Sequence, residues 1–385
     1  MRRPVMVILA VWLAAVWAAA GPAGISRLPD EVVRYAGGAQ PLGARVVWAL
    51  QDAAKFEPGR GLWVGYSIRR LMGENEMVGS FSGRDGVRTR ELTIEEILAG
   101  KTKIETATAD DVRRTAKEVL DDLEHPKKPE KKVLKDVGIF LGYEAGRPAS
   151  LKNVDMSNLD LAFDFKARPL YWLGEASEDE SLDVIKGLFG KAGSGKAKEG
   201  LVAAAGMHGN ARLVIPFLEK ILTGGESDGL RKDAAFWISQ QNDAAGLKIL
   251  VRAANSDRSR EVREGAVFGI SQVDLPGAVD ELITLAGDAS QPDVRKQAVF
   301  WLSEIASDKA APALEEFAGK SGDIEVQEQA VFALSQLPRN QGVEPLIKLA
   351  KTHPDPRVRK KAVFWLGESH DPRALEALIA IIKGK

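Results

Sequence analysis

Ala235-Phe236-Trp237-Ile238-Ser239, Val267-Phe268-Gly269-Ile270-Ser271, Val299-Phe300-Trp301-Leu302-Ser303, Val331-Phe332-Ala333-Leu334-Ser335 and Val363-Phe364-Trp365-Leu366-Gly367 are five versions of one pentapeptide, each beginning 32 residues after the last. A fixed period of roughly 20 to 50 residues marks stacked supersecondary units, none of which buries its apolar face alone. Two weaker copies lie upstream, Leu170-Tyr171-Trp172-Leu173-Gly174 and Val202-Ala203-Ala204-Ala205-Gly206, with one residue inserted before Ala235. The pattern counts about seven units. The first copies have drifted most, as terminal units do when one face has no neighbour.

Each unit reads as two helices. Val294, Ala298, Trp301, Leu302 and Ile305 fall within about 100° of arc at 100° per residue, an amphipathic stripe that marks the unit's second helix. After a turn around Ser307 and Asp308, Ala311, Leu314 and Phe317 open the next first helix, and Leu247 with Leu250, Val279 with Leu282, Val343 with Leu346 and Leu375 with Leu378 are its equivalents. Asp293, Asp323, Asp355 and Asp371, with Pro292, Pro354, Pro356 and Pro372, stand in the turns, where caps and first-turn prolines belong. The fold class that follows is mainly α: a solenoid of helical hairpins over 166–385.

Asp293-Val294-Arg295-Lys296-Gln297-Ala298-Val299 and Arg357-Val358-Arg359-Lys360-Lys361-Ala362-Val363 resemble the signature of the HEAT-repeat family. The resemblance implies that the valine and alanine are core, that the arginine caps neighbouring units, and that the protein is an adaptor. Gln327 replaces the arginine in one unit, which predicts a gap in the arginine ladder there.

Two aromatic series run through the units. Trp172, Trp237, Trp301 and Trp365 alternate with small residues, and this large-small alternation reads as packing between units. The second series is Tyr171, Phe236, Phe268, Phe300, Phe332 and Phe364. Phe300 projects about 240° around the helix from Val294, outside the apolar stripe. One turn before each phenylalanine stand Lys232, Glu264, Lys296, Glu328 and Lys360; one turn after stand Gln240, Gln272, Glu304, Gln336 and Glu368. Either the rings fill grooves between second helices or they line a concave partner-binding face.

Residues 21–165 lack the repeat. Gly61 to Ile68, Met77 to Phe81, Val133 to Tyr143 and Leu159 to Phe165 read as strands, Thr108 to Glu124 as a helix opened by a capping box, and Pro126 to Lys132 as a charged connection. A small α+β region of no recognised type is expected ahead of the solenoid.

Composition bounds the function. With 53 Lys+Arg against 54 Asp+Glu the formal net charge is -1, so no overall field gathers nucleic acid or anionic lipid. Arg2 and Arg3, an apolar run from Val5 to Trp17 and Ala18-Ala19-Ala20 fit a secretory signal cleaved after Ala20, which predicts export to the periplasm or beyond in a bacterial-type envelope and only transient membrane contact. The chain has no cysteine, so disulfides, thiol nucleophiles and cysteine-ligated zinc are excluded. Gly190 to Ala197 is one residue short of a phosphate-binding loop, since Ala197 stands where a hydroxyl must hold magnesium, and it reads as a turn between helices. His125, His208, His353 and His370 show no metal-motif spacing.

No cofactor is expected. The sequence reads as a non-catalytic scaffold of the cell envelope that binds a protein or peptide on the concave face. Two rivals are a glycan- or lipid-binding protein that uses the phenylalanine groove, and an enzyme in 21–165, with Glu57 or Asp85 as candidate carboxylates, for which the solenoid is the substrate arm. HEAT-like bilin lyases are set aside by export. The final helix, carrying Leu375, Leu378, Ile379 and Ile382, either self-associates or covers the preceding unit with its polar side outward.

Overall fold

A computed structural model describes residues 29–56, 59–73, 132–155, 165–193, 195–305, 309–337 and 340–383. The signal segment, the strands expected at 77–81 and 159–164, the helix at 108–124, most of the charged connection and the candidate carboxylates Glu57 and Asp85 lie outside these residues. Most of the described chain is helical, with a helical array in the C-terminal half and an α+β region before it.

The α+β region is built on five described strands, β1 (Val32–Arg34), β2 (Leu62–Gly73), β3 (Lys132–Glu144), β4 (Arg147–Asp155) and β5 (Leu170–Glu175), in the order β1-β5-β2-β3-β4. β2 is the centre: it pairs antiparallel with β3 from Leu62↔Tyr143 to Gly73↔Lys132 and parallel with β5 on its other side. From Leu62 to Ile68 β2 is buried on both faces and mostly apolar without alternation, as central strands are, whereas Arg69 and Leu71 beyond are exposed. One face carries Trp63, Phe140 and Trp172 around Phe165, with the ring centroids of Phe140 and Phe165 5.8 Å apart. Glycines make room for these rings: a Cβ at Gly65 would stand 2.8 Å from Phe140, and one at Gly142 would stand 3.0 Å from Trp63.

Helices α1 (Leu42–Phe56), α2 (Glu178–Phe189) and α3 (Gly195–Gly206) pack on this sheet. Ser177 and Glu180 form a capping box at the start of α2, and the Glu180 carboxylate also accepts from the Leu42 N–H that opens α1. Arg45 of α1 donates to the Leu173 and Glu175 carbonyls at 2.7 and 2.9 Å, which tethers α1 to the end of β5.

The expected repeat copy at Leu170–Gly174 is therefore a strand. Its alternation of side chains across the sheet decides the matter: Tyr171 is 4% exposed against Trp48 on one face, while Trp172 tilts onto Phe140 on the other. A run of Leu, Tyr, Trp and Leu suits a strand as well as a helix, and a length of six residues favours the strand. Tyr171 and Trp172 are core residues of the sheet and take no part in a helical ladder.

From α4 (Ala211–Leu222) onward, first and second helices alternate: α5 (Asp228–Ser239), α6 (Ala244–Ser256), α7 (Arg260–Gln272), α8 (Pro276–Asp288), α9 (Pro292–Glu304), α10 (Ala310–Lys320), α11 (Ile324–Gln336), α12 (Val343–Thr352), α13 (Pro356–Glu368) and α14 (Pro372–Ile382). The predicted cores are in place, with Val262, Ala266, Ile270, Val294, Ala298, Leu302, Val326, Ala330, Leu334, Val358, Ala362 and Leu366 buried. Asp323, Asp355 and Asp371 are N-caps whose carboxylates accept from the backbone N–H two residues on, and prolines occupy the first turns of α8, α9, α13 and α14.

Candidate functional site

Second helices approach one another more closely than first helices do, so within 215–385 the second helices lie on the inner side of the array. Phe236, Phe268, Phe300 and Phe332 are half-buried on these helices, and Phe364 is 56% exposed. Trp237, Trp301 and Trp365 are half-buried as well.

The two aromatic series form one surface. Phe236 stacks on Phe268 with centroids 6.3 Å apart and planes 5° from parallel; Phe268 meets Trp301 at 4.9 Å, and Trp301 meets Phe300 at 5.0 Å. Farther along, Phe332 meets Trp365 at 5.2 Å and Trp365 meets Phe364 at 5.0 Å. Each of Trp301 and Trp365 thus leans on the phenylalanine of the unit before it.

The large-small alternation has a spatial counterpart. Second helices come closer across α5–α7 and α9–α11, where the later helix carries Gly269 or Ala333, than across α7–α9 and α11–α13, where it carries Trp301 or Trp365. A Cβ at Gly269 would already lie 3.2 Å from Leu250 and 3.4 Å from the Ala235 carbonyl. The indoles wedge the looser contacts, and the small residues permit the tighter ones.

The polar residues one turn beyond the rings divide into two kinds. Gln240, Gln272 and Gln336 donate to the hydroxyls of Ser239, Ser271 and Ser335 at 3.0 to 3.2 Å, and each hydroxyl donates to the phenylalanine carbonyl three residues back. Glu304 and Glu368 are exposed. One turn before the rings the charges are mostly matched within the array, Lys232 to Glu261 at 2.5 Å, Lys296 to Glu325 and Glu328 to Lys361 at 3.4 Å.

The family model for HEAT repeats matches this array in overlapping windows, 215–298, 247–335 and 318–385. Residues 215–385 are HEAT repeats. None of the curated proteins matches the chain. Among solved structures the chain is similar to human deoxyhypusine hydroxylase at 24% identity, over 52% of this chain and 77% of that one, with a TM-score of 0.24. It is also similar to the phycocyanin lyase complex of CpcE and CpcF from Nostoc (19% identity, 51% and 79% covered, TM-score 0.28) and to the S. pombe condensin subcomplex (18% identity, 54% and 31% covered, TM-score 0.31).

The HEAT arginines bridge units. Arg231 pairs with Asp257, Arg263 with Asp293 at 2.9 Å and Arg295 with Asp323 at 2.5 Å, each acid belonging to the following unit's turn. The same side chains donate back to the Leu222, Asp257 and Ala289 carbonyls, closing the first helix of their own unit. Hydrogen bonding to Arg295 holds the Asp323 carboxyl below its usual range. Gln327 keeps the local bond, donating to the Ser321 carbonyl at 2.5 Å, but does not reach the next unit, where Asp355 pairs with Arg357 of its own helix. The ladder is broken where the sequence predicts.

The last helix, α14, buries Ala374 and Ala377 and leaves Leu375 62%, Ile379 43% and Ile382 84% exposed. These three stand exposed beside Arg373 and Glu376, so the outward side is mixed, less polar than the covering reading expects. This is the surface on which the self-association reading rests.

One polar constellation was not legible in the sequence. Tyr66 of β2, Ser181 of α2 and His208 after α3 are buried and joined: His208 Nδ1 faces the Ala204 carbonyl at 2.8 Å, so Nδ1 carries the proton, Nε2 accepts from the Ser181 hydroxyl at 2.9 Å, and Ser181 Oγ accepts from the Tyr66 hydroxyl at 2.9 Å. A serine bonded to a histidine is the start of a nucleophile, but at 0% and 1% exposure no substrate reaches this pair. It is a satisfied core network.

Burial pushes the His208 pKa below the ordinary histidine value and the Tyr66 pKa far above the tyrosine one. A group whose folded pKa is depressed stabilises the fold fully above its unfolded pKa, about 6.5 for histidine, and that contribution is lost as pH falls toward the folded value. The expected result is that urea midpoints measured between pH 7.5 and 5 fall for the wild type and stay flatter for His208→Gln. An equal fall in both would remove His208 as the cause.

Proposed function

We propose that the protein is a non-catalytic interaction scaffold, exported to the cell envelope, that binds a protein or peptide along the second-helix face of its HEAT array. The observation that carries this reading is the half-exposed aromatic surface from Phe236 to Phe364. A groove filled only for stability would bury its rings, whereas aromatic area left accessible beside polar edges is what interface hot spots are made of. The sequence signal at 1–20 supports export.

Phe364 gives the cleanest test because it is the most exposed rung. Phe364→Ala is expected to change stability by no more than about 0.5 kcal/mol. Affinity capture from an envelope extract, with protein lacking residues 1–20, is expected to recover a partner with the wild type and markedly less with Phe364→Ala or Phe300→Ala. Reproducible recovery of no protein, or equal recovery by all three, would defeat the reading.

A further inference from the structure

The break in the arginine ladder falls between the unit of α10 and α11 and the unit of α12 and α13, and it involves more than one missing bond. Gln327 and His353 stand three 32-residue periods after Arg231 and Asp257, the places of the most buried bridge in the array. Gln327 donates its amide N–H to the Ser321 carbonyl, which fixes Oε1 as an acceptor, and that oxygen is buried without a partner among the described residues. His353, 5% exposed, accepts the Asp355 N–H at Nδ1, 3.1 Å away, so the ring proton sits on Nε2, and Nε2 is buried without a partner too. By position in the repeat, an orphaned donor and an orphaned acceptor stand where a guanidinium and a carboxylate meet at an earlier boundary.

A third orphan, the Trp365 indole N–H, lies across the same boundary, where its ring leans on Phe332. Three of the five buried side-chain polar atoms without a partner among the described residues therefore gather here. Each carries its full desolvation cost, so the boundary gains by any rearrangement that pairs or wets them. The geometry described has Gln327 and His353 neither bonded nor wet.

The chain joins the two units at the opposite end. Gln327 lies in the first turn of α11 and His353 caps the end of α12, so the link between these helices, through Gly342, is a helix length away from the orphaned pair. There the backbones touch directly: the Leu334 carbonyl fills the place of a Cβ at Gly342. One end of the boundary is pinned. At the other, Arg231, Arg263 and Arg295 latch the earlier boundaries to the next unit's carboxylate, and Gln327 does not. The ion pairs that do cross, Lys361 with Glu328 and Lys348 with Glu315, are solvent-accessible and carried on long side chains that follow a small displacement. The second helices α11 and α13 also make one of the looser contacts.

We propose that this boundary is a hinge. The units before and after it turn about the contact of Gly342 with Leu334, between a closed setting in which His353 Nε2–H donates to Gln327 Oε1 and an open one in which water meets both atoms. The motion carries Trp365 and Phe364 together relative to Phe332, so the last rungs of the aromatic surface change their spacing from the rest.

The chain has no cysteine, so spin labels can be placed on introduced pairs alone. Ser256, Asp288, Lys320 and Lys351 are exposed near the ends of the first helices α6, α8, α10 and α12. In protein lacking residues 1–20, Ser256→Cys with Lys320→Cys spans two latched boundaries, and Asp288→Cys with Lys351→Cys spans one latched boundary and the hinge. Pulsed dipolar spectroscopy is expected to give a distance distribution at least about two-fold broader for the second pair. Gln327→Arg, which offers a guanidinium to Asp355 as Arg295 does to Asp323, is expected to narrow it to the width of the first. Arg295→Gln, which copies the break one boundary earlier, is expected to broaden the first pair. Equal widths in the otherwise wild-type protein, or a width unmoved by Gln327→Arg while circular dichroism shows the array intact, overturns the proposal. Should Gln327→Arg unfold, Arg295→Gln decides, and no broadening overturns it. The widths are measured without a partner, so loss of the scaffold reading would leave the hinge standing.

Discussion

Asp257→Ala is expected to destabilise the HEAT array by about 3 kcal/mol, more than any other single change at a unit boundary. Arg231 is 3% exposed and Asp257 9%, so removing the carboxylate strands a guanidinium that cannot regain water. Only the Leu222 carbonyl and the half-exposed Asp228 remain to it. In an array where each unit contacts only its neighbours, the damage stays at one interface. Urea unfolding is therefore expected to lose cooperativity, separating residues before Asp257 from those after it, as well as shifting its midpoint. The double variant with Arg231→Met, which removes both charges, is expected to recover most of the loss. If Asp257→Ala costs less than about 1 kcal/mol, water reaches Arg231 and the bridge is of the exposed kind.

Ala333→Trp is expected to cost about 2 kcal/mol, although tryptophan is the native residue at the same position one unit before and one unit after. Ala333 is fully buried in α11, at one of the closer second-helix contacts, and Trp301 already occupies the space beside Phe300 that a new indole would need. Trp301 and Trp365 fit because their helices stand farther from the preceding one and each indole leans on a phenylalanine there. Thermal unfolding measures the effect, and a loss below about 0.5 kcal/mol would show that the alternation does not set the helix spacing.

The repeat region was legible in the sequence because its information is redundant. Each of five pentapeptides repeats the same stripe, cap and turn, so an error at one unit is outvoted by the others. Even the gap at Gln327 could be read, since an amide has the reach for its own unit's carbonyl but not the charge or length for the next unit's carboxylate. The single apolar pentapeptide Leu170–Gly174 fits both periods, and what makes it a strand is its pairing with β2, about a hundred residues away in sequence. His208 carries no local signal for a related reason: its partners Tyr66 and Ser181 come from distant elements, and no local spacing announces them.

By itself, the sequence determined the HEAT architecture, its unit length, its core and the break in its arginine ladder, because all of these follow from contacts within a unit or between adjacent units that recur at one period. Only the tertiary structure decided how the aromatic residues are used. Periodicity placed the phenylalanines and the tryptophans on different faces of one helix and so read them as separate ladders. The alternating closeness of the second helices brings them together instead, and whether a ring is buried depends on how near the next helix comes, a distance that no single helix encodes.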